Sequence, residues 1–397
     1  MARVRRATHV FLRCRDTRVL DVEELLRGRL SIGARSEVVA VSLLTGEESP
    51  LTREELEALV DLPAEWTDLD ELPEQARPLV ADLARRGLVV GDDADPRLAE
   101  LRRRDERLAA EEWHPYAALY HFGTRRSAAA EEVVEAAGGD PEELAAAEVS
   151  ELFDRFGPPP DAFAEPDAED VLALPLRRDW DPLADVLRER RTTRGFDDAA
   201  TLPLEQLGLV LDAVFGCLAT ARIAGRLDVV RKSSPSGGGL HPVEVYPLVL
   251  GVESLEPGLY HYRPRTHALA LVEPLDLEDG RAFAAAATAG QAFFASAHVL
   301  FLLTARFYRS YWKYRGHDRA YAVLLMDAAH LSQTLYLVCA AIGLGAFVTG
   351  AINRPTIEER LGVDPFGEGA LAVAGCGIPG PRLVGEPEFV PFVPREA

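Results

Sequence analysis

The chain has 397 residues, 48% of them hydrophobic, enough to bury a substantial core plus a second, smaller unit, which argues against disorder as its overall state. A formal net charge of −21 argues against nucleic acid and an anionic membrane surface as partners, so any anion has to be held by a local basic cluster. Cys14, Cys217, Cys339 and Cys376 stand far apart with no CxxC pair, which disfavours a disulfide framework and a zinc site and fits a reducing cytoplasm.

After a basic start, the apolar stretch Val10–Leu12 is too short for a signal-peptide core, so export is not expected. Residues 1–95 read as a separate α/β module. It has an apolar run over 38–44, a turn at Thr45-Gly46, a helix opened by Leu51-Thr52-Arg53-Glu54-Glu55, and a second helix over 74–86. Gly87 closes that helix before the apolar Leu88-Val89-Val90, a winged-helix-like signature whose acidic content favours peptide docking or packing over DNA binding. Residues 96–178 form a helical and linker region, with a charged helix over 95–112 and a linker from Gly157-Pro158-Pro159-Pro160 to Asp170. Within it, Trp113-His114-Pro115 and Tyr120-His121 make an aromatic patch, read as packing in preference to a lid.

The main domain spans 179–397. Asp181 is expected to cap a helix with Pro182 at its first position, running to about Arg191, and a second helix starts at Pro203. Strands are expected over 243–250, 258–262, 268–272, 299–304 and 370–374, with a long helix over 319–342, an α+β pattern. From Leu331 to Asn353 no residue is charged, a length that would span a bilayer. Gln333, Asn353, Gly343, Gly345 and Gly350 instead suit a buried helix, a turn and a buried strand.

Three constellations carry chemistry. Arg190-Arg191-Thr192-Thr193-Arg194, where the first helix ends, offers three forked guanidiniums and two hydroxyls for a phosphate, against the alternative of a helix C-terminus complementing its dipole. Ser233-Ser234-Pro235-Ser236-Gly237-Gly238-Gly239-Leu240-His241-Pro242 precedes an apolar strand, and its three glycines let backbone amides approach a flat ligand or a phosphate. The third is Gly343 to Gly350 followed by Gly375-Cys376-Gly377-Ile378-Pro379 and Arg382. Because Gly343 follows a helix instead of a strand, a dinucleotide fingerprint is disfavoured. Asp327, His330 and Gln333 share a helical face but read as satisfied buried polar groups, so no metal is expected.

In this order and spacing the pieces resemble the FMN-binding nitroreductase superfamily, and within it the SagB-type dehydrogenases of peptide maturation. The resemblance covers about residues 180–385. It is carried by Arg190 to Arg194, by Pro235-Ser236-Gly237-Gly238 with His241-Pro242 and Glu244-Val245-Tyr246, by Lys313-Tyr314, and by the helix-turn from Asp327 to Gly345. It implies a nitroreductase-like α+β fold and a homodimer with FMN at the subunit interface. By the same carry-over, Arg190, Arg191, Thr192 and Arg194 would serve the phosphate-ribityl end and the ring edge. Pro235, Ser236, Gly237 and Gly238 would line the isoalloxazine, and Thr349, Gly350, Gly377 and Arg382 would supply further contacts.

The implied activity is oxidation of thiazolines or oxazolines in a ribosomally made peptide to azoles, by hydride transfer to flavin coupled to proton removal, with Lys313 and Tyr314 catalytic. Adjacent side chains on a strand diverge, so both residues reach one substrate only from a loop or helix. Peptide substrate and a cyclodehydratase are the implied partners. The alternatives are an NAD(P)H-dependent nitroreductase or quinone reductase and a non-catalytic flavin- or peptide-binding protein. The uncharged segment Leu331 to Asn353 is expected to hide apolar surface across the dimer interface.

Overall fold

The structure, a computed structural model, describes residues 2–20, 32–124, 150, 151, 153–155, 157, 182–223, 227–315, 317 and 319–381. The N-terminal portion opens with β1 (Arg3–Arg6), followed by the hairpin β2 (Val10–Leu20) and β3 (Ile32–Ser42), then β4 (Glu48–Leu51). Helix α1 (Arg53–Asp61) starts at a capping box, in which Thr52 accepts from Glu55 N and the Glu55 carboxylate accepts from Thr52 N. After β5 (Thr67–Asp68) come α2 (Ala76–Arg85), the left-handed Gly87 at φ 72° and β6 (Val89–Gly91). β1 lies between β5 and β6, and β2, β3 and β4 form a second sheet.

Helix α3 (Pro96–Ala110) is capped by Asp95, whose carboxylate accepts from Arg97 N and Leu98 N, and α4 (Pro115–Gly123) follows directly. Both add to the main core: Leu101, Leu108, Trp113 and Phe122 belong to the same buried cluster as Phe301 and Phe307. Within the aromatic patch Trp113 and His121 are buried packing residues, while Tyr120 stays 52% exposed. Pro158 to Asp170, Asp179 and the expected cap Asp181 lie outside the described residues.

The main sheet has six strands in the order β11-β10-β9-β12-β14-β13, all neighbours antiparallel. They are β9 (Val243–Val249), β10 (Gly258–Arg263), β11 (Ala268–Pro274), β12 (Val299–Arg306), β13 (Gly345–Thr349) and β14 (Glu368–Gly377). A two-stranded hairpin, β7 (Ala219–Ile223) with β8 (Leu227–Arg231), precedes it. Central β12 shows why the sheet is two-sided. Val299, Phe301, Leu303 and Ala305 enter one core, Leu300 and Leu302 the other, so an unbroken apolar run is needed.

One face is covered by α7 (Leu277–Ala287) and α10 (Arg354–Leu361). The other is covered by α6 (Leu204–Val210), which runs into a π turn at Leu211–Phe215, and by the long helix α9 (Ala320–Ala341). Two shorter helices, α5 (Pro182–Glu189) and α8 (Phe307–Tyr314), flank α9. The expected strands and helices of the main domain are all present, each within a few residues of its expected bounds.

α9 is long and apolar enough to cross a membrane by length and composition, yet its buried positions recur every three or four residues from Ala320 to Cys339 and face the sheet. Leu331, Leu335, Tyr336, Cys339, Leu344, Ala346 and Phe347 are buried against the chain's own sheet, while Leu337, Val338 and Ile342 of the same segment stay partly exposed.

Candidate functional site

Two chain segments of the sequence-predicted site hang on α9. The first follows α5, whose last helical bond is Arg190 N to Val186 O at 3.0 Å. Residues 191–194 then run extended beside β13: Thr193 N donates to Ala346 O at 2.8 Å, and Thr192 bridges Ala346 in parallel. Thr193 turns inward beneath its neighbours, while Arg191 and Arg194 are exposed. Gly345 is required for this approach, since a Cβ there would come 2.6 Å from Thr193 Cγ2. The hydroxyl of Tyr336 accepts from Val348 N at 3.1 Å and shares a hydrogen bond with Thr192 Oγ1 at 3.0 Å, and the Arg190 guanidinium stands 5.3 Å from the Tyr336 ring centroid.

The second segment is the Gly-rich loop. Asp327 on α9 ties it down: its carboxylate accepts from Ser236 Oγ at 2.6 Å and from Gly237 N at 2.9 Å. Ser236 Oγ in turn accepts from His241 N at 2.9 Å, and Ser234 Oγ meets Thr334 Oγ1 at 2.6 Å. Asp327 is thus satisfied by the loop, as expected of a buried polar group, and no cluster of three metal-ligating side chains occurs among the described residues. Gly238 and Gly239 are left-handed at φ 64° and 67°, a conformation that glycine adopts without a Cβ penalty.

Lys313 and Tyr314 close the second segment. They end α8, so the two neighbours leave a helix and not a strand, and both reach Gly238. A Cβ at that glycine would lie 2.9 Å from Lys313 Nζ and 2.8 Å from Tyr314 Oη. Arg309 Nε donates to Leu240 O at 2.8 Å and fastens α8 to the loop, while Arg315 turns away to Glu112 at 3.6 Å. Lys313 is exposed and Tyr314 half-buried.

Of the 43 Lys and Arg residues in the chain only two are lysines, and both border this loop. Lys232 lines a small pocket with Pro235, Ser236, His241 and Asp327, where burial lowers its pKa. Burial, and then Lys232, lower that of His241.

Asp327 and Tyr336 are nine positions apart on α9, which sets the loop and the basic segment about 13 Å apart along its axis at about 1.5 Å per residue. The third constellation is placed differently. Thr349, at the far end of β13, donates through Oγ1 to Gln291 Oε1 at 2.8 Å and accepts from Ala351 N, so its hydroxyl is engaged within the chain. Gly350 is open, with nothing within 4 Å of a Cβ built on it. Gly377 is buried under His298. Arg382 lies outside the described residues. Glu244 and Tyr246 lie on the strand face opposite Val243 and Val245, which face α9. Burial would raise the Glu244 carboxyl, but His261, Arg306 and Lys232 outweigh it and hold the pKa below the usual range.

Sequence reasoning missed Tyr336, took Arg309 as a cation near Lys313 and not as the tie to Leu240, and missed the tying role of Asp327. Only the spacing of Asp327 on an apolar helix hinted at its role.

The sequence profile of the Nitroreductase family matches residues 187–378. MJ1384 of Methanocaldococcus jannaschii, named for a nitroreductase, is 31% identical over 184 residues, 46% of this chain and 86% of its own length. The trifolitoxin-processing protein TfxB of Rhizobium leguminosarum bv. trifolii is 30% identical over 173 residues, 43% of this chain and 46% of TfxB. Among solved structures, a nitroreductase homologue from Ralstonia eutropha JMP134 is 27% identical, covers 53% of this chain and 89% of its own, and superposes with a TM-score of 0.41. The chain belongs to the nitroreductase family, whose members are flavin-dependent oxidoreductases.

Proposed function

We propose that this protein is an FMN-dependent dehydrogenase that oxidises azoline rings in a ribosomally made peptide to azoles, as the resemblance to SagB-type enzymes implies. The observation that carries the reading is the convergence of Lys313 Nζ and Tyr314 Oη on Gly238, in the Gly-rich loop that Asp327 ties to α9. The 30% identity to a protein named for trifolitoxin processing supports a peptide substrate.

The residues present fit FMN. Arg191 and Arg194 are exposed next to a Thr192 hydroxyl, a donor set suited to a phosphate, and Pro235, Ser236, Gly237 and Gly238 are assigned to the ring system. Thr349, Gly350, Gly377 and Arg382 are assigned to the remaining contacts. When bound, FMN accepts the hydride. Lys313 and Tyr314 bind the azoline beside the Gly-rich loop and remove the ring proton, a task that needs an acid-base group within hydrogen-bond reach of it. A homodimer, a cyclodehydratase partner, a cytoplasmic location and the division into units at residues 95 and 178 belong to the same proposal.

The test is anaerobic mixing of the flavin-loaded protein with a thiazoline-bearing peptide, followed by mass spectrometry for the loss of two hydrogens. Flavin bleaching together with that loss supports the reading. Bleaching by NADPH followed by turnover of a nitroaromatic, with no reaction of the peptide, would select the nitroreductase reading that the similarity to MJ1384 favours.

A further inference from the structure

Helix α8 is eight residues long, too short to persist in water by itself, and no side chain caps its start at Arg306. Besides the Arg309 bond to Leu240 and the bond from Phe307 N to Gly367 O, its attitude depends on what its buried face of Phe307, Ser310 and Tyr311 packs against. That contact is Trp113, buried at 3% exposure, whose ring centroid lies 4.8 Å from Phe307 and 4.9 Å from Tyr311, edge-on to both. His121 meets Phe307 at 4.9 Å and is pinned by a 2.7 Å hydrogen bond between Nδ1 and the Tyr321 hydroxyl. Trp113 and His121 both lie outside residues 187–378, the stretch that matches the family.

At its C-terminal end α8 presents Lys313 and Tyr314 to Gly238. A roll of about 20° moves a side-chain tip at the helix surface, about 5–6 Å from the axis, by about 2 Å. Misplacing a reacting group by about 1 Å can cost roughly 10²-fold in rate. Small changes beneath α8 are thus large at its reactive end.

We infer that Trp113 is a positioning residue: the helical pair α3–α4, ahead of the family-matched segment, holds α8 so that Lys313 and Tyr314 stay against the Gly-rich loop. The inference rests on the dehydrogenase reading above for its effect on rate, but not for its effect on geometry. Lys313 and Lys232 are the only lysines in the chain, so acetylation by a small N-hydroxysuccinimide ester, read by mass spectrometry, reports Lys313 with Lys232 as internal reference.

In the flavin-loaded protein, Trp113→Ala should change the Lys313 to Lys232 labelling ratio by about threefold or more. It should also slow anaerobic flavin reduction by a thiazoline peptide by about tenfold or more, while Trp113→Phe, which keeps a ring against Tyr311, stays close to wild type in both. Added to Lys313→Ala, Trp113→Ala should slow the reaction by less than about twofold, because it acts through the same side chain. If Trp113→Ala does not fold, Trp113→Leu carries the same test. An unchanged labelling ratio in a folded variant overturns the inference, as does a further tenfold loss on top of Lys313→Ala. Wild-type flavin reduction by Lys313→Ala would instead remove Lys313 from the chemistry, with the labelling ratio still deciding the geometry, whereas no flavin reduction by the peptide in the wild-type protein would sink the dehydrogenase reading.

Discussion

Gly238 and Gly239 offer a controlled experiment inside one loop. Both are left-handed, at φ 64° and 67°, so replacement by alanine costs each about 1–2 kcal/mol of backbone strain. Their surroundings differ. A Cβ at Gly239 meets nothing within 4 Å, whereas one at Gly238 lands 2.8 Å from Tyr314 Oη, 2.9 Å from Lys313 Nζ and 3.2 Å from Lys313 Cδ. The contacted atoms are the far parts of side chains, so they give way at little cost to stability but leave their positions. Gly239→Ala and Gly238→Ala should therefore lose similar stability, a fall in Tm of roughly 2–4 °C per kcal/mol. Only Gly238→Ala should also slow flavin reduction by the peptide, by about tenfold or more, as expected when an acid-base pair is displaced but not deleted. Differential scanning fluorimetry and anaerobic stopped flow read the two quantities. Equal rates in the two variants would refute the placement of Lys313 and Tyr314 at the loop. A much larger stability loss in Gly238→Ala would refute the view that they yield freely.

Arg191→Ala combined with Arg194→Ala should release FMN, since each charge-assisted bond to phosphate is worth about 1.5–3 kcal/mol, or roughly tenfold to a hundredfold in Kd; unchanged occupancy on desalting would refute it. Asp327→Ala strands Ser236 Oγ and Gly237 N, each at about 1–3 kcal/mol, so urea unfolding should show a loss of roughly 2 kcal/mol or more, and a wild-type midpoint would contradict the tying role. His9, His241 and His298 are all held below the ordinary 6.5, chiefly by burial. The folded state keeps them neutral, so their contribution is intact above pH 6.5 and is lost as the unfolded chain takes up protons on going below it. Tm should therefore fall between pH 7 and 5, less steeply in His298→Leu, and a slope unchanged in that variant would refute the assignment.

Much of the main domain was legible because its local signals agree with its packing. The Pro182 start, the unbroken apolar run of β12 and the long uncharged run of helix formers in α9 each match the burial found there. The loop was legible for a different reason, since three adjacent glycines have no role in a regular element. What stayed hidden was the function of uncharged length. The stretch from Leu331 to Asn353 reads the same whether an apolar face meets a bilayer, a second copy or the chain's own sheet, and the sheet covers the side that carries Leu331, Leu335 and Cys339. Partners far apart in sequence were equally hidden: nothing near Tyr336 announces that its hydroxyl will meet Thr192 and Val348.

The two site segments share a support, and this has a consequence for how substitutions should behave. Thr192 rests on Tyr336 near the C-terminal end of α9, and Ser236 and Gly237 rest on Asp327 nearer its middle. Because the helix between them is packed on the main sheet through Ala328, Leu331 and Leu335, it acts as a rigid spacer of about 13 Å. A cavity made in the middle of that spacer, as in Leu331→Ala, costs about 2–5 kcal/mol and loosens both segments at once. Removing either tie alone, Tyr336→Phe or Asp327→Ala, should disturb only its own end. The double variant of the two ties should then be additive within about 0.5 kcal/mol in urea unfolding, as independent sites more than 7–10 Å apart are. Strong coupling between them would mean that the two segments touch each other directly and that the helix is not what spaces them.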